Sequence, residues 1–196
     1  MKKNSEYKNE RPTVETVEAE LNRVRYRQRY RVVLRSTVYT LITVAAVAVL
    51  VATLWLPVLQ IYGQSMTPTL QNGEIVVSVK TAELEQGDII AFYYNNKILV
   101  KRVIAGPGDW VDISPETGDV YVNGQLLEEP YLTEKAFGDA DIELPYQVPD
   151  GKVFAMGDHR TTSVDSRHTE VGCVAEEQIV GKIVFRVWPL KEFGGF

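Results

Sequence analysis

The stretch VYTLITVAAVAVLVATLWLPVLQI, residues 38–61, decides the architecture of this chain because it separates two regions of opposite character. It contains no charged side chain, and it is longer than the roughly 20 apolar residues that a helix needs to cross a bilayer. We therefore predict a transmembrane helix at residues 38–58. The alternative is a cleavable signal peptide, but its apolar region is usually only about 7–15 residues long and follows a shorter basic segment.

The regions on either side of this run differ in charge. Residues 1–35 carry ten Lys and Arg against five Asp and Glu, which gives +5, and six of the arginines lie within residues 23–35. Residues 36–196 carry eleven against twenty-one, which gives −10. The positive-inside rule therefore predicts a single-pass protein of the cell membrane, with residues 1–37 as a cytoplasmic tail and residues 59–196 outside the cytoplasm. An acidic domain also argues against nucleic acid as a partner.

The chain beyond the apolar run consists of short β-branched and aromatic segments bounded by Gly, Asp, Asn or Pro. Segments of this kind are typical of antiparallel β domains. Asn123-Gly124 predicts a two-residue hairpin. The expected fold is mostly β, with one N-terminal transmembrane helix, an antiparallel catalytic domain and a smaller β insertion at about residues 106–150. Strands are predicted at residues 73–80, 87–94, 97–104, 118–127 and 181–190.

The sequence gives no indication of a metal or another cofactor. Cys173 is the only cysteine, so an internal disulfide is excluded. The chain also lacks the Cys and His spacing of zinc sites. Any chemistry is expected to come from ordinary side chains.

A serine follows the apolar run directly, in YGQSMTPTLQNGE, residues 62–74. The hydroxyl of Ser65 is a weak nucleophile at neutral pH and needs a base within hydrogen-bonding reach. A Ser-His-Asp triad is one hypothesis, because triads are recognised by geometry and not by order in the chain. The simpler interpretation of the two histidines is that both lie in a solvated loop. The candidate triad partners are His159, His168, Asp158 and Asp165.

The strand KILVKRVI, residues 97–104, offers a different base. Alternation places Lys101 on one face with Leu99 and Val103, and Arg102 on the other, so one cation shares an apolar face or lies at its edge. Burial can lower the pKa of a lysine by about 3–5 units, whereas arginine stays protonated. Lys101 would then be a neutral amine. The structural alternative is that its stem packs against Leu99 while the ammonium reaches water.

A third cluster, MGDHRTTSVDSRH, covers residues 156–168. Its density of Gly, Asp, Ser and Arg predicts a tight loop tied by charge-assisted hydrogen bonds between its aspartates and arginines. Taken alone, such a loop is more often structural than catalytic. Ser163 could also position an amine through a hydrogen bond.

Three motifs occur in a distinctive order behind the span: SMTPTL at residues 65–70, VKRVIAGPGD at residues 100–109 and GDHRTTSVDSR at residues 157–167. Together they resemble the bacterial type I signal peptidase, or leader peptidase, family. The resemblance covers about residues 30–190 and includes VNGQLLEEPYL and the closing GKIVFRVWPL. It implies a membrane-anchored serine endopeptidase with a Ser-Lys dyad, which removes signal peptides from secreted preproteins, and the same overall fold.

The resemblance also assigns roles to residues. Ser65 matches the family nucleophile, Lys101 matches the general base, and Ser163 matches a serine that helps to orient the lysine. His159 stands where the family pattern usually has Asn, which affects a detail of the loop and not the dyad. The supporting polar residues of the third motif fall on Asp158, Arg160, Asp165 and Arg167.

Expectations for substrate binding centre on the residues around Ser65. Gly63 stands where some family members have a serine that donates to the oxyanion, so we expect the oxyanion hole to use backbone N–H groups, including that of Ser65. An extended substrate is expected along the strand edges at residues 61–63 and 97–101. Small substrate side chains at the first and third positions before the cut are implied by the resemblance. The predicted substrate-binding residues are Ile61, Gly63 and Met66.

Two other functions share these features. One is a non-catalytic assembly factor or chaperone that keeps the peptidase fold, usually marked by loss of the serine or lysine, both of which are present here. The other is a self-cleaving Ser-Lys regulator, a soluble class that the predicted anchor disfavours.

Overall fold

A computed structural model describes residues 13–80 and 83–196 of the chain as one long α-helix followed by twelve strands and two 3-10 turns, Glu176–Gln178 and Leu190–Glu192. The helix is α1, Val14–Trp55. The first six strands are β1 Val58–Gln60, β2 Ile75–Val79, β3 Ile89–Tyr94, β4 Lys97–Ala105, β5 Trp110–Ile113 and β6 Val120–Val122. The others are β7 Gln125–Leu126, β8 Tyr146–Gln147, β9 Lys152–Met156, β10 Val174–Ala175, β11 Ile179–Trp188 and β12 Gly194–Gly195.

Helix α1 has 42 residues, or about 63 Å at 1.5 Å per residue. By length and composition it can cross a membrane, since it contains an exposed 18-residue window with a mean hydropathy of 1.9. It ends at Trp55 because Pro57 disfavours a helical conformation of the preceding residue. The helix thus begins well before the span expected at residues 38–58 and ends three residues earlier. The first twelve residues of the predicted tail lie outside the described residues.

The twelve strands form two antiparallel sheets. The larger sheet has the order β1-β2-β11-β3-β4-β9-β10, with β12 paired to β11. The smaller has the order β7-β6-β5-β8 and falls within the insertion expected at residues 106–150. The predicted fold class is confirmed: the chain is mostly antiparallel β with one N-terminal apolar helix.

Most of the predicted strands appear close to their expected positions. The run at residues 118–127 divides into β6 and β7 at Asn123-Gly124, where positive φ values of 52° and 76° form the tight turn. The strands that were not predicted include β5, β8, β9, β10 and β12. Strand β1 was not predicted either, and it begins at the last residue of the span expected at residues 38–58.

Clusters of buried side chains support the segments that carry Ser65 and Lys101. The smaller sheet contributes Val111 and Val120 to an apolar cluster with Ile104 and Phe154 of the larger sheet, so the insertion shares a core with the main domain. Another cluster lies under the segment that carries Ser65. Strand β4 borders both clusters and carries Lys101.

Candidate active site

Ser65 lies in a turn that is anchored by apolar residues on its C-terminal side. Met66 and Leu70 are buried in the core, and the N–H of Leu70 donates to the carbonyl of Met66 at 2.8 Å. The N–H of Thr67 donates to the carbonyl of Gln64 at 3.1 Å. These contacts hold Ser65 half-buried at the surface of the β domain.

Lys101 reaches the serine from the middle of β4. Its Nζ lies 2.7 Å from Oγ of Ser65, and only 3% of its surface is exposed. Burial lowers the pKa of Lys101 to about 8, although the carboxylates of Asp165 and Asp158 oppose this shift. The structure therefore brings together the two residues predicted as the dyad. The alternative in which the ammonium of Lys101 reaches water does not fit this burial.

The loop at residues 157–167 is fastened to the turn of Ser65. The N–H of His159 donates to the carbonyl of Ser65 at 3.0 Å. Gly157 is buried where the two segments cross, and a Cβ atom there would overlap Oγ of Ser163 and approach the Ser65 carbonyl oxygen to 2.5 Å. Only glycine fits this crossing without displacing one of its neighbours.

Ser163 lies at this crossing, but its expected hydrogen bond to Lys101 does not form. Its hydroxyl is buried and has no well-aligned hydrogen-bond partner among the described residues. It is near enough to Asp165 to contribute to lowering the pKa of that carboxyl. Ser163 is therefore adjacent to the dyad without contacting its amine.

Asp165 and Arg167 form the buried brace of the loop. Arg167 donates to both carboxylate oxygens of Asp165, from Nε at 2.9 Å and from Nη2 at 2.8 Å. Burial raises the pKa of Asp165, but the hydrogen bonds and charge of Arg167 outweigh this and hold the pKa below its usual range. The N–H of Gly157 donates to the same carboxylate at 2.9 Å. The pair ties the start of the loop to its end.

Asp158 connects the loop to the strand that carries the lysine. Its carboxylate accepts from Nε and Nη2 of Arg102 at 2.9 and 2.6 Å, and from the hydroxyl of Thr69 at 2.5 Å. Arg102 directly follows Lys101 on β4, and Thr69 follows Ser65 by four residues. One carboxylate therefore fixes both segments of the dyad relative to each other.

Arg160 is paired with a residue that the sequence analysis did not single out. Its guanidinium donates to both carboxylate oxygens of Glu129, and both side chains are almost fully buried. The hydroxyl of Tyr131 donates to Glu129 at 3.1 Å, and its ring lies 3.9 Å from Cζ of Arg102. Glu129 and Tyr131 lie within the VNGQLLEEPYL segment of the resemblance, which was the available signal.

Neither histidine is arranged as the base of a triad. Nδ1 of His159 lies 3.2 Å from Oγ1 of Thr67, and Nδ1 of His168 accepts from the N–H of Asp165 at 3.4 Å. Among the described residues, the hydroxyl of Ser65 is paired with Lys101. The geometry therefore favours the dyad. Both histidines are half-buried, so the interpretation of solvated loop histidines is also incomplete.

The backbone N–H groups of Ser65 and Gly63 differ in whether they are engaged. No described residue accepts a hydrogen bond from the N–H of Ser65. The N–H of Gly63 is already engaged by Oδ1 of Asn72 at 3.0 Å. Gly63 has a φ of 93°, a left-handed conformation that favours glycine.

A groove of about 690 Å³ leads to Ser65 between two chain segments. One wall consists of residues 59–66 and includes the predicted Ile61, Gly63 and Met66, and the other consists of residues 96–100. Ile61 and Met66 are also core residues, 4% and 2% exposed, so they form the floor of the groove rather than its rim. In the part of the chain that the structure describes, no group of His, Cys, Asp and Glu is arranged to hold a metal.

Comparisons with known proteins identify the family of the chain. The family described as signal peptidase, peptidase S26, matches residues 34–188. The chain is 41% identical over 153 residues to signal peptidase IB of Staphylococcus aureus strain COL, covering 68% of this chain and 78% of that protein. It is 41% identical over 162 residues to signal peptidase I of Bacillus caldolyticus, covering 73% and 87%. A crystal structure of signal peptidase I from Enterococcus faecalis V583 aligns with a TM-score of 0.45 and 28% identity, covering 53% of this chain and 98% of that one.

Proposed function

The chain belongs to the signal peptidase family, peptidase S26, and on that basis we propose that Ser65 is its nucleophile and Lys101 its general base. The protein is a serine peptidase that cleaves signal peptides, and its N-terminal apolar helix fits a membrane anchor. The observation that carries the assignment of the dyad is the 2.7 Å distance between Nζ of Lys101 and Oγ of Ser65.

The first chemical step requires the amine of Lys101 to be neutral. A protonated Nζ donates to Oγ of Ser65, whereas a neutral Nζ accepts the hydroxyl hydrogen. Oγ then attacks the scissile carbonyl as its proton moves to Lys101. The resulting ammonium donates a proton to the leaving amine. Water, deprotonated by the same lysine, hydrolyses the ester on Ser65 and regenerates both groups.

The negative oxygen formed in this step needs a donor next to Ser65. The unengaged N–H of Ser65 supports a role as that donor, whereas the N–H of Gly63 is occupied by Asn72. Such donors stabilise charge that develops only in the transition state. Ser65 thus provides both the attacking oxygen and an oxyanion contact.

The groove beside Ser65 supports binding of an extended peptide. On the side away from β3, β4 is paired with β9 only from Arg102 onward, so residues 97–101 have no strand partner at that edge among the described residues. A substrate strand adds to that edge and places alternate side chains against Ile61 and Met66. The buried floor formed by Ile61 and Met66 limits the depth of the groove beside Ser65, which favours small side chains at the positions next to the cut.

In this proposal the polar residues of the loop position the dyad and do not react themselves. They are Ser163, Asp158, Arg160, Asp165 and Arg167. Asp158 links the strand of the lysine to the turn of the serine, and Asp165 with Arg167 braces the loop that crosses that turn.

The proposed domains are the cytoplasmic tail at residues 1–37, the span at residues 38–58 and the extracytoplasmic peptidase domain at residues 59–196. The proposed substrates are secreted preproteins, and the bilayer is the other partner.

Cleavage of a preprotein by the full-length protein in detergent tests the dyad. Ser65→Ala and Lys101→Arg should both abolish cleavage, because one removes the nucleophile and the other replaces the base with a cation that keeps its proton. Wild-type activity should fall about tenfold per pH unit below about pH 8. Substantial activity of Lys101→Arg would mean that residue 101 supplies charge and not basicity. Binding without cleavage by the wild type would favour the non-catalytic alternative.

A further inference from the structure

The first part of α1 carries an apolar stripe that lies before the membrane-spanning stretch. Val14, Val17, Leu21 and Val24 follow each other at intervals of three, four and three residues, which is the spacing of the a and d positions of a heptad repeat. Their exposed fractions are 74%, 50%, 46% and 44%. Four neighbouring apolar side chains on one helix face are therefore left in contact with solvent.

The charges beside this stripe are complementary between two copies of the same helix. With Val14 and Leu21 at a positions, Glu20 falls at a g position and Arg25 at the following e position. In a parallel coiled coil, a g residue faces the next e residue of the partner helix. Glu20 of each copy would thus face Arg25 of the other. Within one helix these residues are five apart and do not meet; Glu20 makes only an exposed 3.8 Å contact with Arg23.

The apolar run that follows in the same helix supports a parallel arrangement. Every copy of a single-span protein inserts in the same direction, so their N-terminal segments emerge on the same side of the membrane. Confinement to the membrane also raises the effective concentration of one helix near another, which favours a short contact that would be too weak in solution. An antiparallel pair, which would lose the Glu20 to Arg25 match, is excluded by the shared orientation.

The sequence also limits where the contact ends. Gln28 and Arg31 occupy the next a and d positions, and two arginines facing each other at position 31 would repel. The apolar contact is therefore restricted to residues 14–27, about 20 Å of helix. The helix continues without interruption from Val14 to Trp55, so this segment does not turn aside to lie along a lipid surface.

We propose that the occupant of this stripe is a second copy of the chain, and that residues 14–27 form a short parallel coiled coil at the membrane. The contact involves neither Ser65 nor Lys101. It associates two peptidases without changing the chemistry of either.

Disulfide trapping in isolated membranes tests the pairing with the full-length protein. Cys173 is the only cysteine, so Cys173→Ala provides a background for single cysteines. Under mild oxidation, Leu21→Cys and Val24→Cys should form covalent dimers severalfold more efficiently than Ala19→Cys, which lies on the opposite face of the same heptad. Equal trapping at all three positions would indicate random collision and would overturn the proposal. Absence of trapping at all three would overturn it in favour of another occupant of the stripe.

A charge exchange tests the register. In the Leu21→Cys protein, Glu20→Arg should reduce trapping severalfold, and addition of Arg25→Glu should restore it. Glu15→Arg is the matched control, since it makes the same reversal at an outward b position and should leave trapping unchanged. Failure of Arg25→Glu to restore trapping, or an equal loss with Glu15→Arg, would show that no specific parallel register exists. Preprotein cleavage should be the same in all of these proteins.

Discussion

Lys101 occupies a place where an ammonium ion is unfavourable. The side chain is almost fully buried, and burial is the largest of the effects that lower its pKa from 10.5 to about 8. The folded state therefore binds fewer protons than the unfolded chain between these two values. The resulting penalty is absent above about pH 10.5, grows as the pH falls, and is fully present below about pH 8. The lowered pKa that suits this lysine to the proposed role of base also destabilises the fold at neutral pH.

This penalty predicts the effect of Lys101→Met. Each unit of pKa shift corresponds to about 1.4 kcal/mol, so relief of the penalty is worth up to about 3 kcal/mol at pH 7. The variant should be inactive yet at least as stable as the wild type, whereas Lys101→Arg should be inactive and less stable because a permanent cation stays on the apolar strand. Thermal unfolding at pH 7 and pH 10.5 would measure both. A Lys101→Met protein that is clearly less stable than the wild type at pH 7 would contradict the buried-amine account.

The hydrogen-bond role of His159 follows from its contact with Thr67 and from the contact of Thr67 with Gln64. Oγ1 of Thr67 has a single hydrogen, which it donates to the carbonyl of Gln64 at 2.8 Å, so at the 3.2 Å contact it accepts from Nδ1 of His159. His159→Asn places an amide donor in the same position and should keep nearly full cleavage. His159→Ala should lose about two- to tenfold, the effect of one hydrogen bond. Preprotein cleavage rates would check this, and a loss in His159→Ala as large as in Ser65→Ala would restore the triad hypothesis.

The chemistry of individual residues was only partly predictable. Alternation along β4 placed Lys101 and Arg102 on opposite faces and led us to expect one of them on an apolar face, but both are buried. The second sheet and the loop cover the faces that alternation alone would leave in solvent. The choice of Lys101 over a histidine came from the order of the three motifs. Glu129 was missed because nothing local shows that a glutamate 31 residues away from Arg160 is its buried partner.

At the scale of elements, the loop at residues 157–167 joins the parts of the site. It contacts the turn of Ser65 through His159, the strand of Lys101 through Asp158, and the segment before the small sheet's last strand through Arg160 and Glu129. Its two aspartates and two arginines are buried and hydrogen-bonded inside the protein, which makes the loop rigid. Such a loop holds catalytic groups in place before the substrate binds.

Gly157 is the point at which this rigidity can be tested. Gly157→Ala adds a methyl group into the space held by Ser163 and the Ser65 carbonyl, so either the loop or the nucleophile must move. Displacement of about 1 Å is enough to reduce activity about 100-fold. Gly194→Ala is the control, because a Cβ atom there meets nothing within 4 Å and its φ is not positive. Cleavage rates together with unfolding curves would test this, and unchanged activity of Gly157→Ala would contradict the tight crossing.

Boundaries of elements were less predictable than their types. The apolar run at residues 38–61 has uniform composition, so nothing within it distinguishes helix from the strand β1 except Pro57. The helix also extends upstream through arginine-rich sequence that lacks a breaker. Strand β9 was missed because its short run, at residues 152–156, follows an irregular segment and is paired only through distant partners in β4 and β10.

At the scale of the whole molecule, the charge division predicts topology. The basic residues precede the apolar window and the acidic domain follows it, so the N-terminal segment should remain in the cytoplasm. Protease added to intact protoplasts should degrade the domain after residue 59 and leave an epitope at the N-terminus protected. A cytoplasmic reporter protein serves as the integrity control. Protection of the C-terminal domain would reverse the proposed orientation.

The lowered pKa of Lys101 also affects how the protein should be handled in the laboratory. At pH 7 an amine with a pKa of about 8 is about one-tenth unprotonated, against about 0.03% for an ordinary lysine. Solutions of urea contain cyanate, whose small neutral acid reacts only with unprotonated amines. Folded protein stored in dilute urea should then be carbamylated at Lys101 ahead of its ordinary lysines, and it should lose activity irreversibly if Lys101 is the proposed base.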